Sequence, residues 1–230
     1  MNIIFLGAPS CGKGTQSKIV TKKYKVNHIS MGELLREKAE NPQDPLGLHI
    51  KELIDKGCFV DDEIIMDLIH DKLNSFTSDE GILFDGFPRT LEQARLLDQV
   101  FKKHGRTVDY VINFEIDDRV VLERIQGRRT CPECGMSYHV EFNPPKVVDT
   151  CDVCGSNLIV RKDDNVASAK TRLTNYYALT YPLIDYYKEQ GKLVSIDALQ
   201  DIEKVSSDID NILGGKHRWL YIKMKRKLSY

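Results

Sequence analysis

The chain lacks several features that would at once assign it to a class of protein. Its 33 Lys and Arg balance 34 Asp and Glu, so the net charge of −1 gives no overall field to attract nucleic acid or an anionic membrane. No apolar run approaches the roughly 18 residues that a membrane-spanning helix needs, and the first residues do not resemble a signal peptide. Internal repeats and low-complexity stretches are also absent. We therefore expect a globular, cytoplasmic protein without a membrane or nucleic-acid partner.

Cysteine is scarce, with six among 230 residues, yet four of the six are paired. Cys131 with Cys134 and Cys151 with Cys154 form two C-x-x-C knuckles separated by sixteen residues, each followed by glycine. At this spacing two tight turns can direct four thiolates at one tetrahedral centre, and thiols in a reducing compartment bind metals more often than they form disulfides. We predict a structural Zn²⁺ site, because four thiolates leave no open coordination position; iron or a pair of disulfides is the alternative.

Apolar runs alternate with helical patterns along most of the sequence. The runs are Asn2 to Leu6, a shorter one around His28-Ile29, Gly81 to Phe84, Val108 to Phe114 and Leu193 to Ile196. The candidate helices are Lys13 to Lys23, Met31 to Glu40, Leu46 to Lys56, Asp61 to Ser75, Leu91 to His104, Asp117 to Gly127, Asn165 to Leu179 and Asp201 to Leu213. This alternation predicts an α/β fold in which helices cover both faces of a parallel sheet. Ligands of such folds bind beyond the carboxyl ends of the strands.

Two stretches interrupt the alternation. Residues 30–60 contain two short helical patterns without an intervening strand, and we call them the helical insert. Residues 127–164 contain the paired cysteines, two adjacent prolines and little helical periodicity, and we call them the cysteine module. Because this module is too small to fold on an apolar core alone, we expect a bound metal to contribute to its folding free energy.

A glycine-rich loop lies between the first apolar run and the first helix. It reads Gly7-Ala-Pro-Ser-Cys-Gly-Lys-Gly-Thr15. Such a loop turns backbone N–H groups toward phosphate at the positive end of a helix, and Lys13 can reach the β and γ phosphates. Gly14 occupies the place of the usual Mg²⁺-ligating hydroxyl, and the hydroxyl follows one residue later, at Thr15. Other groups must therefore supply most of the ligands of the metal. We predict a nucleoside triphosphate site. Cys11 and Cys58, which lie far apart in the sequence, are expected to be plain small side chains; the alternative is that Cys11 is an unusually reactive thiol, because Lys13 and the helix N-terminus favour its thiolate.

A second group of polar residues follows the third apolar run. It reads Asp85-Gly-Phe-Pro-Arg-Thr90 and is followed by Gln93. An Asp at the end of a buried strand beside a phosphate loop can orient Mg²⁺ through water. Cations recur in the regions expected to border the cleft: Arg36, Arg89, Arg124, Arg128, Arg161, Lys170 and Arg172. Phosphoryl transfer needs such a set, because charge spreads over the oxygens of the migrating group.

These motifs in this order resemble the adenylate kinases, in the long form whose lid carries a zinc ribbon. The resemblance runs to about Leu213 and includes Ile29-Ser-Met-Gly-Glu-Leu-Leu-Arg36, Gly127-Arg-Arg129, Phe142-Asn-Pro-Pro-Lys146, Arg161-Lys-Asp-Asp164 and Pro182-Leu-Ile-Asp-Tyr-Tyr187, besides the two motifs above. It implies the P-loop nucleoside monophosphate kinase fold and the reaction MgATP + AMP ⇌ MgADP + ADP, which balances the adenine nucleotides. It also implies a core (1–29, 61–126 and 165–215), an AMP-binding domain (30–60) and a mobile lid (127–164), in a chain that we expect to be monomeric.

The resemblance assigns a role to each matching residue. It implies that ATP is bound by Ser10, Cys11, Gly12, Lys13, Gly14, Thr15, Arg124, Arg128, Ser137, Tyr138, His139 and Gln200, with Asp85 on Mg²⁺ through water. It implies that AMP is bound by Met31, Arg36, Cys58, Phe59, Val60, Gly86, Phe87, Pro88, Arg89, Gln93, Arg161 and Arg172. Catalysis would rest on Lys13, Arg89, Arg128, Arg161, Asp163 and Arg172, and zinc on the four cysteines of the knuckles.

Three residues depart from the family pattern. Met31 stands where Thr is usual, Lys170 replaces a common Arg, and Ser10 replaces a frequent Gly. Another nucleoside monophosphate kinase, with GTP as donor or a pyrimidine nucleotide as acceptor, is therefore an alternative, although Gln93 favours adenine. A zinc-ribbon ATPase that binds nucleic acid is a second alternative, against which the balanced charge and the lack of aromatics around the knuckles argue.

The last fifteen residues, 216–230, lie outside the resemblance. They combine six Lys and Arg with a short apolar run that includes Trp219 and Ile222. We expect the apolar part to pack on the core and the basic end to be solvated; a docking site for an acidic partner, a membrane surface or nucleic acid is the alternative.

Overall fold

The computed structural model describes residues 1–41, 43–77 and 79–214. In chain order the elements are β1 (Asn2–Gly7), α1 (Lys13–Tyr24), β2 (Asn27–Ser30), α2 (Met31–Ala39), α3 (Pro45–Lys56), α4 (Asp62–Asn74), β3 (Ile82–Asp85), α5 (Leu91–Lys103), β4 (Tyr110–Glu115), α6 (Asp118–Gln126), β5 (Arg128–Thr130), β6 (Ser137–His139), α7 (Val166–Asn175), a π-helix (Tyr176–Thr180), α8 (Leu183–Glu189), β7 (Leu193–Asp197) and α9 (Ile202–Leu213). Both expectations for residues 216–230 fall outside the described residues. None of the helices described combines the length and apolarity needed to cross a membrane.

A five-stranded parallel sheet forms the centre of the molecule, in the order β2-β3-β1-β4-β7. Consecutive residues of β1 point to opposite faces, and Ile3, Ile4 and Phe5 are all at most 1% exposed. Ile4 and Leu6 pack in one apolar cluster, whereas Ile3 and Phe5 pack in another. Helices therefore cover both faces of the sheet, and the predicted α/β fold is confirmed.

The carboxyl ends of the central strands bring three loops to one edge of the sheet. Phe5 in β1 and Ser30 in β2 both lie in register with Asp85 in β3. The glycine-rich loop follows β1, the helical insert follows β2, and the loop from Gly86 to Thr90 follows β3. Because parallel strands end together, these three segments face a common cleft.

The helical insert is built from two capped helices. Ser30 caps α2 by accepting a hydrogen bond from the Glu33 N–H, and Asp44 caps α3, whose first residue is Pro45. Proline suits the first position of a helix, because its missing N–H would have no intrahelical partner there. The insert matches the prediction of two helices without a strand between them.

The cysteine module contains a hairpin that the sequence analysis did not predict. Strands β5 and β6 pair antiparallel, with Arg128 opposite His139. The strands have only three residues each, too few for a periodic apolar pattern to be read from the sequence.

The predicted helix from Asn165 to Leu179 agrees within one residue at each end with the helical run from Val166 to Thr180, but the last five residues of that run are a π-helix. Helix α7 ends at Asn175 and continues as a π-helix to Thr180, and helix α8, which we did not predict, follows Pro182. Proline indicated an end to the helical pattern, but here it precedes a new helix, where its lack of an N–H costs little.

Candidate active site

A cleft of about 1110 Å³ opens at the carboxyl edge of the sheet. The glycine-rich loop, the helical insert, the loop after β3, helix α6 and the cysteine module all contribute to its walls. The cleft therefore joins every segment that the sequence analysis selected, although these are distant along the chain.

The glycine-rich loop surrounds the side chain of Lys13. The Lys13 Nζ donates to the carbonyl oxygens of Gly7 and Ala8, both at 2.8 Å, and lies 3.3 Å from the Cys11 Sγ. Gly7 has a φ of 143°, and a Cβ there would lie 2.8 Å from both the Cys11 Sγ and the Phe114 carbonyl oxygen. Only glycine permits this close turn, which delivers the loop to the first residue of α1.

Two buried aspartates connect the cysteine module to helix α7. The Asp164 side chain is 0% exposed and accepts two hydrogen bonds from the Arg128 guanidinium, one of them at 2.7 Å from Nε. Arg172 pairs with Asp163, and its Nη1 lies 3.7 Å from an Asp164 oxygen. The Arg128 Nη1 also donates to the Ser10 Oγ at 3.1 Å. These contacts hold Arg128 over the glycine-rich loop.

The cleft holds more positive charge than its own carboxylates compensate. Burial, with repulsion from Arg128 second, lowers the pKa of Arg161 to about 9, and burial, with repulsion from Arg172 second, lowers the pKa of Arg89 to about 10. Burial also lowers the pKa of Arg36. All three guanidiniums remain charged at neutral pH. An anion bound among them would stabilise the charged form, so the electrostatics favour a phosphate ligand.

Gln93 and Arg89 form a second wall of the cleft. The Gln93 carboxamide accepts from the Arg89 N–H at 2.7 Å and donates to an Asp62 oxygen at 2.6 Å, which fixes its orientation. The Arg89 Nε donates to the Gly86 carbonyl at 2.9 Å, and its guanidinium lies 5.2 Å from the centre of the Phe59 ring. Met31, 2% exposed, lies in the adjacent apolar cluster.

His139 forms part of the opposite end of the cleft. Its ring stacks on Phe142 with centroids 4.4 Å apart, and its Nδ1 accepts the N–H groups of Glu141 and Phe142 at 3.0 and 3.1 Å. The ring proton therefore belongs on Nε2, which lies 3.5 Å from the Glu123 carbonyl oxygen. The ring thus gives this end a flat face, close to Arg124 and Gln200.

The four knuckle cysteines form one cluster. Their Sγ atoms all lie within 4.8 Å of one another, and two pairs are 3.4 and 3.5 Å apart. Thiolates bound to one tetrahedral Zn²⁺ at about 2.3 Å would be about 3.8 Å apart, so this arrangement fits a single metal ion. Tyr138 adjoins the cluster, with its hydroxyl 3.5 Å from the Cys151 Sγ while it accepts the Asp152 N–H at 2.8 Å.

Comparison with known proteins agrees with this geometry. The family model described as adenylate kinase matches residues 5–192. The adenylate kinases of Bacillus cytotoxicus and Bacillus mycoides are each 45% identical over 215 residues, and that of Bacillus cereus strain B4264 is 44% identical. Each alignment covers 94% of this chain and 99% of the relative.

The chain belongs to the adenylate kinase family. It is therefore a nucleoside monophosphate kinase that transfers a phosphoryl group between ATP and AMP, and the prediction of its fold, class and reaction is confirmed. The sequence similarity to these relatives extends over nearly the whole chain.

Nearly all the site residues predicted for this adenylate kinase line the cleft. The exceptions outside the zinc cluster are Phe87, which is 1% exposed and packs against Phe84 in the core, and Lys170, a candidate cation that is exposed on α7 away from the cleft. Phe87 was included only as part of a contiguous motif; its neighbours Gly86, Pro88 and Arg89 line the cleft, whereas its own side chain turns into the core. The roles predicted for the other residues stay predictions.

Sequence reasoning missed one buried residue that holds the arginines of the cleft and several residues that line the cleft. Asp164, quoted only as part of a motif, makes the contacts to Arg128 and Arg172 described above. Lys18, Glu33 and Gly135 also line the cleft. A lysine and a glutamate within helices give no signal of their own, because charged side chains on helices are usually solvated.

Proposed function

We propose that the cleft holds ATP and AMP end to end, with their phosphates among the buried arginines. The carrying observation is that five arginines from distant parts of the chain line one cleft beside the glycine-rich loop: Arg36, Arg89, Arg128, Arg161 and Arg172. Burial lowers the pKa of Arg161 and of Arg89, as expected where cations crowd together. In this arrangement the glycine-rich loop and Lys13 bind the ATP phosphates, and Arg36 and Arg89 bind the AMP phosphate. The fixed carboxamide of Gln93 reads the adenine of AMP, and the flat face of His139 contacts the adenine of ATP.

The proposed positions of ATP and AMP suggest a division of the chain into a core, an AMP-binding domain and a lid. We assign residues 30–60 to an AMP-binding domain, 127–164 to a lid, and 1–29, 61–126 and 165–215 to the core. The lid contributes Arg128 and Arg161, so its closure places both cations over the phosphates and excludes water. A monomeric enzyme without a nucleic-acid or membrane partner remains a prediction. Its cytoplasmic location remains a prediction.

Chemistry in this cleft needs no general base. An oxygen of the AMP phosphate attacks the γ phosphorus of ATP, a new P–O bond forms, and the bond to the β-phosphate oxygen breaks with its electron pair going to ADP. Lys13, Arg128, Arg161 and Arg172 neutralise the charge on the moving group. Asp163 keeps Arg172 in place through their ion pair.

Magnesium accompanies ATP, and Asp85 is the residue suited to it. The carboxylate lies at the end of β3, where a Cβ on Gly14 would be 3.5 Å from Oδ2, so it borders the glycine-rich loop. Asp85 would hold the hydrated ion through water, and the ion would neutralise the phosphate oxygens that it bridges.

The sharpest test is phosphate transfer from ATP to each of AMP, GMP, CMP and UMP in a coupled assay. We expect ADP formation with AMP far above that with the other three. Arg161→Ala should lower kcat/KM by about 100-fold or more, since one transition-state cation is worth several kcal/mol. Arg119→Ala is the matched control, because that arginine is 92% exposed. Equal turnover with GMP, or unchanged kinetics in Arg161→Ala, would contradict the proposal.

We also propose that the cysteine cluster holds structural zinc. Metal analysis of the purified protein should give one zinc per chain, and Cys154→Ser should lose it. Cys58→Ser is the control, because that exposed thiol lies outside the cluster and its loss should leave the zinc content unchanged. Iron in place of zinc, or a protein without metal and without free thiols in the module, would contradict the assignment.

A further inference from the structure

Three segments of the chain meet at the first cysteine knuckle. The Lys18 Nζ, on helix α1 directly after the glycine-rich loop, donates to the Cys134 carbonyl oxygen at 2.6 Å. Next to that carbonyl, a Cβ on Gly135 would lie 3.0 Å from the Lys18 Nζ and 2.8 Å from a Glu33 carboxylate oxygen. Glu33 belongs to α2 of the helical insert. The knuckle therefore accepts a hydrogen bond from a charged group of the core and lies against a carboxylate of the proposed AMP-binding domain.

Gly135 is the residue that allows this approach. Its φ of 66° and the hydrogen bond from its N–H to the Cys131 carbonyl, at 3.0 Å, are the ordinary geometry of a knuckle. The second knuckle repeats them at Gly155, with a φ of 77° and an N–H bond of 2.9 Å to Cys151. A Cβ on Gly155, however, would meet nothing within 4 Å. The two glycines share a backbone requirement, and only Gly135 faces Lys18 and Glu33.

We propose that Lys18 and Glu33 are positioning residues that seat the lid over the phosphates. By holding the first knuckle, they keep the β5–β6 hairpin and its Arg128 above the glycine-rich loop. Glu33 lies in the same helix as Arg36, which is proposed to bind the AMP phosphate. Movement of this helix on AMP binding therefore shifts Glu33 relative to the first knuckle. We call the contacts of Lys18 and Glu33 with the first knuckle the seat. Through the seat, AMP binding is coupled to closure of the lid over ATP. This inference rests on the proposed placement of ATP beneath the lid.

The two glycines provide the decisive comparison. Gly135→Ala and Gly155→Ala impose the same left-handed strain on equivalent turns, so both should retain zinc and show similar losses of thermal stability. Only the Cβ of Gly135→Ala displaces the Lys18 ammonium and the Glu33 carboxylate from the knuckle. We expect this to raise the KM for ATP about tenfold to 100-fold, the value of one hydrogen bond to a charged donor. Its kcat should stay within about twofold or rise, since easier lid opening does not slow product release.

Variants of Lys18 test the same seat from the core side. Lys18→Met should reproduce the rise in KM for ATP, and Lys18→Arg, which keeps a donor, should restore most of it. Lys22→Met is the matched control, because Lys22 is an exposed lysine one turn further along α1. Coupling is measured as the ratio of the KM for ATP at low and saturating AMP. That ratio should move toward one in Lys18→Met and Gly135→Ala, but not in the two controls.

Three outcomes of these experiments would overturn the inference. Equal kinetics in Gly135→Ala and Gly155→Ala, a fall in kcat at unchanged KM, or no rescue by Lys18→Arg would mean that the contacts are incidental to lid position. Loss of activity in Arg161→Ala distinguishes this failure from failure of the proposed function. If that variant is impaired while the glycine pair behaves alike, the nucleotides bind beneath the lid but the seat does not hold it.

Discussion

Asp164 offers the clearest test of what holds Arg128 and Arg172 in position. Its carboxylate is fully buried and faces Arg128 and Arg172, whose side chains are 17% and 16% exposed. Asp164→Asn keeps the size and one oxygen acceptor but removes the negative charge. Two guanidiniums are then left close together with only Asp163 to compensate them.

The cost follows from burial. Removing one partner of a buried ion pair costs about 3–5 kcal/mol, and the retained acceptor and partial exposure of the arginines reduce this to about 2–4 kcal/mol. For a chain of this length, that loss lowers the thermal midpoint by about 4–16 °C. Since Arg128 also loses its anchor over the glycine-rich loop, kcat/KM should fall by about tenfold to 100-fold.

Thermal unfolding followed by circular dichroism, with and without inorganic pyrophosphate, provides the assay. Pyrophosphate should stabilise Asp164→Asn more than the parent protein, because it replaces the missing anion. Asp117→Asn is the matched control: Asp117 also pairs with an arginine, Arg119, but at an exposed site. If both variants unfold at the same temperature as the parent, the buried network does not stabilise the fold and the reasoning fails.

Three further predictions concern single residues in the cleft. Met31→Thr should change the KM for AMP more than the KM for ATP, because Met31 lies beside the loop of Arg89; an unchanged KM for AMP would remove it from the site. Cys11 is 2% exposed, so iodoacetamide should modify it more slowly than the exposed Cys58, and MgATP should slow it further, as followed by peptide mass spectrometry; equal rates with and without MgATP would refute this. Burial alone would raise the pKa of Asp163, but the adjacent Arg172 outweighs it and the pKa is lowered. The stability due to that ion pair is therefore present above the ordinary pKa of about 4 and is lost as the pH falls through the lower folded value. Asp163→Asn should flatten the acid side of the stability profile; a profile identical to the parent's would exclude this contribution.

The sequence alone determined the fold class and the reaction, because each depends on patterns within short segments. A parallel strand buried on both faces requires a continuous apolar run, as in Ile3 to Leu6, and a phosphate loop requires its glycines at fixed spacing. Two cysteine pairs at this spacing likewise predict four clustered thiols without knowledge of the fold, and their Sγ atoms do lie within 4.8 Å of one another. Each of these features could therefore be predicted from a short stretch of the sequence.

Only the tertiary structure decided which charged residues work together. Asp164 and Arg128 are 36 positions apart, and Lys18 and Cys134 are 116 apart; no local pattern distinguishes them from solvated surface residues. The same holds for Phe87, whose motif pointed to the cleft although its side chain packs in the core. Burial and pairing of charges depend on how the chain returns to the sheet, and that is a property of the packed molecule rather than of any one segment.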